Sequence, residues 1–213
     1  MALPNASSNV IASWLAIRFG LRGPNLMLCN GPTSGLDAVH WAATMVAAGR
    51  ADQVLVVGVE PRNAVVERLL DRPGEELLDG AAALVVERAA GARERGATPA
   101  AVLGRYERAP GLADCLGSLL SGSGAPGVWF TPEPTDGAAS PDPHSAAPVP
   151  PSVPRHDLTA AFGSASGALG VLQCAAAVGW FDTYGTGQAL VTSGDDTADA
   201  VAGLLLSPAG AAV

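Results

Sequence analysis

Two side chains with nucleophilic chemistry, Cys29 and Ser34, flank a tight turn early in the sequence. The apolar run from Leu26 to Cys29 predicts a short strand, and the small residues from Thr33 onward predict a helix. A strand, a sharp turn and a helix often present a nucleophile at the turn, because the helix N-terminus stabilises negative charge on the attacking atom. The residue at this turn is Pro32, whose ring cannot attack a carbonyl and whose nitrogen has no hydrogen to donate.

Cys29 and Ser34 each have a structural interpretation beside the catalytic one. Cys29 lies in an apolar strand, which favours burial as a small hydrophobic residue, and Ser34 opens a helix, which favours capping. Either becomes a candidate nucleophile only if a base lies within hydrogen-bond reach. His40 is predicted to pack in the core or at an interface, and His144 and His156 are predicted to be solvated.

The remaining metal-binding residue types do not predict a metal centre. The three cysteines, Cys29, Cys115 and Cys174, are an odd number without metal-ligand spacing, which favours free or buried thiols over a disulfide framework. Asp195 and Asp196 favour a turn, with cation binding as the alternative. We therefore expect neither a metal nor a cofactor.

The composition predicts a globular protein with one domain or two small ones. Of the 213 residues, 48% are hydrophobic, which is enough for a sizeable core. The net charge of -8 argues against nucleic-acid binding, which requires a basic surface. All 12 basic residues are arginine, so no lysine is available for catalysis. No long apolar run or signal sequence is evident, so we expect a cytoplasmic protein that does not bind a membrane.

Helix and strand patterns alternate along the chain in two comparable halves. Ser7 or Ser8 is predicted to cap a helix that runs to about Phe19 and has one apolar face. Further helices are predicted at 34–48, 63–70, 88–96, 111–120 and 166–180. Strands are predicted at 26–29, 54–59, within 79–87, and at 100–106, 128–131, 188–192 and 200–206, with 54–59 central in a covered sheet. We expect one domain over 1–213 with halves at 1–97 and 98–213, each ending in a helix and two strands. A Pro-rich loop is predicted at 132–154, mobile at its centre.

The stretch from Arg22 to Val39 resembles the active-site segment of the β-ketoacyl synthases. The similarity is greatest to the ketosynthase and chain-length-factor pair of bacterial type II polyketide synthases. Gly23 and Pro24 match the start of the family's strand, and Thr33 to Ala38 match the start of its helix. The resemblance implies an α/β fold, the thiolase-like layered α-β-α-β-α fold, N-terminally truncated and with two pseudo-repeated halves.

The resemblance also identifies the positions that hold catalytic residues in the family. It places the nucleophilic cysteine at Pro32, the two histidines at Pro134 and Ser164, and the lysine at Thr159. The glycine-rich C-terminal loop that supplies an oxyanion donor is replaced by 193–199. Because every catalytic position that aligns has lost its side chain, the resemblance argues against Claisen chemistry on this chain.

The function implied by the resemblance is that of a non-catalytic, chain-length-factor-like subunit. It would pair with a catalytic ketosynthase as a heterodimer and shape the tunnel for the growing acyl chain. An acyl carrier protein would dock through the complex, mainly on a basic patch of the other subunit, because this chain is acidic. The implied interface is an antiparallel strand made of Pro24, Asn25, Leu26, Met27, Leu28 and Cys29.

Two other functions remain open at this point. A ketosynthase scaffold reused for acyl transfer, cyclisation or hydrolysis would use Cys29 or Ser34 as its reactive group. A homodimeric binding or scaffold protein for acyl carriers would be stable and soluble when expressed alone.

Overall fold

Helices and strands alternate through the residues that the computed structural model describes, which are 9–71, 76–134 and 148–210. The helices are α1 (Val10–Phe19), α2 (Ser34–Ala47), α3 (Ala64–Leu70), α4 (Ala89–Glu94), α5 (Leu112–Leu120), α6 (Thr159–Phe162) and α7 (Leu169–Tyr184). The strands are β1 (Gln53–Glu60), β2 (Gly80–Glu87), β3 (Ala101–Ala109), β4 (Val128–Phe130), β5 (Arg155–His156), β6 (Ala189–Ser193) and β7 (Val201–Pro208). Short 3₁₀ turns, Gly31–Thr33 and Ser166–Ala168, lead directly into α2 and α7.

The strands form two sheets of unequal size. One is five-stranded, in the order β3-β7-β6-β4-β5, and the other contains β1 and β2. In the larger sheet β4 runs parallel to both β5 and β6, whereas β7 is antiparallel to β6 and β3. β1 and β2 are antiparallel, with Val56 opposite Leu84.

Helices α2 and α7 lie between the two sheets and share one core with them. This core joins Val39 of α2 and Val171 of α7 to Val56 of the small sheet and Val191 of the large sheet. α5 packs on the opposite face of the large sheet, where Leu116 contributes to a second core. The resulting layers follow the predicted thiolase-like order.

Strands β6 and β7 alternate between the two cores, as the period of a strand requires. In β6, Ala189 and Val191 face the inter-sheet core, whereas Leu190 faces the core under α5. Both faces are therefore apolar, which explains why the sequence of these strands is a continuous hydrophobic run. The outer face of the small sheet is less covered, since Leu55 is 39% exposed and Val85 is 59% exposed.

A helix followed by an antiparallel strand pair occurs twice in the structure. α2 leads to β1 and β2, and α7 leads to β6 and β7. This repetition is the pseudo-repeat predicted from the sequence. The division of the chain at residue 97 stays a prediction.

The segment 26–29 pairs with no strand among the described residues. Its antiparallel pairing with a partner stays a prediction. One sequence prediction about the fold is wrong. Strand 54–59 is not central, since β1 pairs only with β2 within the described chain. The described ends of the predicted loop at 132–154 contain no helix or strand, as expected, and β5 follows directly. Val149 and Val153 of this loop are buried. The centre of that loop, 135–147, lies outside the described residues.

Helix α1 forms as predicted and ends at Gly20, which adopts a left-handed conformation. Its predicted apolar face is not covered, however, and no residue of α1 is buried. Trp14 is 61% exposed and Phe19 is 64% exposed. The proposed caps Ser7 and Ser8 lie outside the described residues. In the part of the chain that the structure describes, no helix has both the length and the apolarity needed to cross a membrane.

Candidate functional site

Three of the positions singled out from the sequence line one cleft of about 700 Å³. They are Pro134, after β4, Thr159, at the start of α6, and Ser164, after α6. The folding of the second half therefore brings them together although they are distant in sequence. Proline, threonine and serine side chains supply no base of the kind that histidine and lysine provide.

The polar lining of the cleft is dominated by carboxylates. Glu76, Asp79 and Glu133 lie on its wall together with one guanidinium, that of Arg62. The backbone N–H of Arg62 donates to Asp79 at 3.1 Å, which fixes one rim. The excess of acid in the cleft matches the negative charge of the whole chain.

The Thr159 hydroxyl and the backbone groups of Thr159 and Ser164 make local hydrogen bonds. Thr159 donates both its backbone N–H and its hydroxyl to Asp157, at 2.8 and 2.6 Å. The Ser164 N–H donates to the Glu76 carbonyl at 2.7 Å, and its carbonyl accepts from the Leu78 N–H at 2.9 Å. These bonds join the loop before β2 to the loop after α6 and close one side of the cleft.

The Gly31–Thr33 turn lies beside the Ser166–Ala168 turn, close to the cleft. A Cβ atom on Gly167 would lie 3.5 Å from the Gly31 carbonyl oxygen. Pro32, the position to which the resemblance assigns the nucleophile, is exposed in this turn. A proline has neither a thiol nor a backbone N–H.

The Ser34 hydroxyl is occupied by the same turn. It donates to the Gly31 carbonyl at 2.6 Å and accepts the Asn30 N–H at 2.8 Å. Ser34 thus satisfies the backbone of the turn that precedes α2. No base contacts it among the described residues.

Cys29 does not lie where the sequence predicted. Its side chain is exposed rather than buried in a strand, and its thiol makes no hydrogen bond with a described residue. His40 is exposed, so it is not a core residue, and its position at an interface stays a prediction. Its ring stacks on Tyr106 with centroids 4.1 Å apart. His156 is exposed as predicted, although its ring contacts Phe130. His144 lies outside the described residues.

Two glutamates interact electrostatically: Glu60, the last residue of β1, and Glu133, which lines the cleft. Partial burial raises the pKa of Glu60, and the negative charge of Glu133 raises this pKa further. Glu133 accepts the backbone N–H of Ser166 at 3.1 Å, and Ser166 has a positive φ of 40°. Sequence reasoning missed this pair, although a charged residue at the end of an apolar strand, as at Glu60, was the available signal.

Asp37 is the most buried carboxylate among the described residues, at 4% exposure. Its Oδ2 accepts from Asn30 Nδ2 at 2.7 Å and from the Thr33 hydroxyl at 2.9 Å. Its Oδ1 accepts from the Tyr106 hydroxyl, and the Arg108 guanidinium lies 3.9 Å from Oδ2. In the sequence, the available signal for this network was Asp37 itself, the single acidic residue in a helix otherwise free of charged residues.

The loop at 193–199 is built by its two aspartates. Asp195 accepts from Thr197 N–H and from the Thr197 hydroxyl, at 2.8 and 2.6 Å. Asp196 accepts the Leu112 N–H at 2.7 Å and so caps α5. The turn interpretation is confirmed, and among residues 9–71, 76–134 and 148–210 no cluster of three or more His, Cys, Asp or Glu side chains is arranged to hold a metal.

Comparison with known proteins matches this chain to one family. The model of the β-ketoacyl synthase N-terminal domain matches residues 1–67. The 3-oxoacyl-[acyl-carrier-protein] synthase 2 of Vibrio cholerae is 33% identical over a segment that covers 45% of this chain and 28% of that protein. The corresponding Coxiella burnetii synthase is 29% identical, with 45% and 29% covered. The chain thus spans less than a third of these curated relatives.

Solved structures match nearly the whole chain. The ishigamide ketosynthase/chain length factor has a TM-score of 0.81 and 28% identity, covering 98% of this chain and 63% of that one. A type II polyketide synthase acyl-carrier protein in complex with its ketosynthase bound to the hexaketide, AntDE:AntF, has a TM-score of 0.77. At 16% identity, covering 95% of this chain and 65% of that one, the second match supports the fold alone.

Proposed function

This chain belongs to the thiolase-like β-ketoacyl synthase family, and we propose that it acts there as a non-catalytic, chain-length-factor-like subunit. It pairs with a catalytic ketosynthase and helps to shape the space for the growing acyl chain. The condensation itself takes place on the partner's nucleophile.

The observation that carries this proposal is that the four positions to which the resemblance assigns catalytic residues hold no cysteine, histidine or lysine. Pro134, Thr159 and Ser164 line the cleft, and Pro32 lies in the adjacent turn. Claisen condensation requires a nucleophile and groups that move protons or stabilise an oxyanion, and none of these four side chains does so. The retained cleft therefore supports a role in holding or guiding a chain rather than in reacting with it.

A large exposed apolar surface supports pairing with another protein. Leu26 is 53% exposed and Met27 is 47% exposed in the segment before the turn. Trp14 of α1 and Trp41 of α2 are also exposed, at 61% and 49%. Exposed large apolar side chains in this number mark protein interfaces, because leaving them in water is unfavourable.

The likeness to solved ketosynthase assemblies favours a ketosynthase as the partner. The ishigamide ketosynthase/chain length factor is similar to this chain over almost its full length. An acyl carrier protein reaches the complex mainly through the partner, since a net charge of -8 on this chain repels an acidic carrier.

The alternative of a repurposed enzyme has less support. The Ser34 hydroxyl already bonds the turn backbone, and the exposed Cys29 thiol makes no hydrogen bond to a base among the described residues. A nucleophile of either kind requires such a base for activation.

The test is co-expression with a ketosynthase encoded beside this chain, followed by size-exclusion chromatography with light scattering. We expect a one-to-one complex. A double variant, Leu26→Asp with Met27→Asp, places charge in the proposed interface and abolishes the complex. Thr98→Asp, at an exposed polar residue after α4, is the control and leaves it intact.

A homodimer that does not bind the ketosynthase would contradict the proposal. Acylation of Cys29 or Ser34 by an acyl-carrier thioester would then favour the repurposed enzyme.

A further inference from the structure

The segment 22–29 carries the proposed interface. Hydrogen bonds hold it to the described chain only at the turn that follows it. Residues 21–27 are exposed, and Leu28 is half-buried. Between the Leu21 N–H, which bonds the Ala16 carbonyl, and Asn30, no residue of this segment hydrogen-bonds to the described chain. Its position is therefore decided at the turn that follows it.

Asn30 connects this segment to α2 through three hydrogen bonds. Its backbone N–H donates to Ser34 Oγ at 2.8 Å, and its side-chain Nδ2 donates to Asp37 Oδ2 at 2.7 Å. Its carbonyl accepts from the Thr33 hydroxyl at 3.2 Å. Asn30 is thus linked to Asp37 in two ways. Its side chain bonds Asp37 directly, and its carbonyl bonds Thr33, whose hydroxyl also donates to Asp37 Oδ2 at 2.9 Å.

Asp37 in turn is held from the other side by strand β3. The Tyr106 hydroxyl donates to Asp37 Oδ1, and Arg108 lies 3.9 Å from Oδ2. His40, one turn along α2, stacks on the Tyr106 ring and fixes its orientation. A buried carboxylate must be satisfied by such donors, so its geometry is tightly restricted. Strand β3 of the five-stranded sheet thus fixes the position of the Gly31–Thr33 turn through the Asp37 carboxylate.

We infer that Asp37 is a positioning residue for the partner interface: it fixes Asn30, and through Asn30 the exposed segment 22–29, in the arrangement that the ketosynthase binds. This inference rests on the proposed function. A segment that is already ordered loses less conformational freedom on association, which increases affinity without adding a contact. Asp37 itself is buried and needs no contact with the partner.

This role is separable from the stability of α2. The helix packs through Leu36 and Val39, which are fully buried in the inter-sheet core whatever the state of the turn. Asn30 is exposed, so its truncation removes the hydrogen bonds of its side chain and leaves the core unchanged. Asn30→Ala is therefore the variant with the lowest risk of misfolding. Asp37→Asn and Tyr106→Phe test the buried part of the same network.

The first measurement uses the chain alone and reports on the segment directly. Cys29 adjoins Asn30 and is exposed, whereas Cys115 and Cys174 are buried, so a nitroxide reagent labels Cys29 selectively. We expect the label to move several-fold faster in Asn30→Ala and Asp37→Asn than in the unsubstituted protein. Asp114→Asn, an exposed acid in the first turn of α5, is the matched control and leaves the mobility unchanged.

The second measurement is the Kd for the ketosynthase, with unlabelled protein and with Tm as a check of folding. We expect both variants to weaken binding by at least about 10-fold, which corresponds to about 1.4 kcal/mol. Asp114→Asn keeps the original Kd. Tyr106→Phe removes one donor to Asp37 and gives a smaller change in the same direction.

The outcomes separate this inference from the proposed function. Unchanged label mobility in Asn30→Ala and Asp37→Asn overturns the inference whatever the partner does. Increased mobility with an unchanged Kd overturns the interface role of the segment. If the unsubstituted protein does not bind the ketosynthase at all, the proposed function fails and the interface role fails with it, while the label still decides whether Asp37 fixes the segment.

Discussion

Gly35 and Gly170 meet backbone to backbone where helices α2 and α7 cross. A Cβ atom on Gly35 would lie 2.9 Å from the Gly167 carbonyl oxygen and 3.1 Å from the Gly170 nitrogen, and one on Gly170 would lie 2.6 Å from the Leu36 nitrogen. Real Cβ atoms essentially never lie closer than 3.0 Å to such atoms, so a side chain at either position would force the backbone to move. The crossing places the two 3₁₀ turns side by side next to the cleft.

Gly170→Ala is expected to destabilise the fold by about 1–3 kcal/mol, because the added methyl group forces the two central helices apart. Gly179 lies in the same helix, and a Cβ atom there would meet nothing within 4 Å. Gly179→Ala is therefore the control, and it stabilises α7 by about 0.5–1 kcal/mol. Urea unfolding of both variants measures the difference, and equal effects would contradict the close approach.

Gln173 is the buried hydrogen-bond centre of the second half. It is fully buried, and its Nε2 donates at 2.8 Å to the carbonyls of Thr131 and Thr192, so it joins the ends of β4 and β6. Gln173→Leu leaves these carbonyls without a donor and is expected to cost about 2–4 kcal/mol. Gln53→Leu, at an exposed residue, changes the free energy of unfolding by less than about 0.5 kcal/mol. Thermal and urea unfolding test both values.

The three thiols should differ sharply in reactivity. Burial raises the pKa of Cys115 and of Cys174 to about 12, so neither forms thiolate at neutral pH, whereas Cys29 is exposed. An aromatic disulfide reagent is expected to titrate one thiol in the native protein and three after unfolding. Cys29→Ser reduces the native count to zero. In the complex with a ketosynthase, Cys29 should be protected.

Glu60 should make the free energy of unfolding depend on pH at pH values above the ordinary pKa of a glutamate. Since burial and Glu133 raise its pKa, the native state binds a proton more tightly than the unfolded state. The stability from this group is therefore present at low pH and is lost as pH rises through the raised pKa. Glu60→Gln is expected to have a higher Tm than the unsubstituted protein at pH 8, and the gap should close as pH falls towards 4.5. Glu94→Gln, at an exposed residue, should show no such dependence.

A thiol introduced at position 32, to which the resemblance assigns the nucleophile, should not produce condensation. In Pro32→Cys, the cleft still presents Pro134, Thr159 and Ser164, so no side chain among them assists proton transfer. Loss of each such group typically costs about 10²–10⁴ in rate. We expect alkylation of the new thiol by iodoacetamide but no β-ketoacyl product from acyl and malonyl carrier-protein thioesters. Product formation would contradict the non-catalytic proposal.

Local pattern in the sequence was enough to predict most helices and strands. β6 and β7 are continuous apolar runs, and α2 is a run of small and apolar residues. Such patterns can be recognised in the sequence without knowing what packs around them. The chemistry available at position 32 is also a matter of residue identity, because a proline has no thiol and no N–H in any fold. The family resemblance rests on the same local segment.

Tertiary structure decided which residues meet. Asp37 accepts a hydrogen bond from Tyr106, 69 residues later in the chain, and no local period encodes that contact. Cys29 is exposed because its segment has no neighbouring strand among the described residues, although its composition predicted a buried one. The cleft exists because the bonds of Ser164 to the loop before β2 close it. A sequence specifies the period of each element, whereas contacts between distant elements follow from how their faces pack.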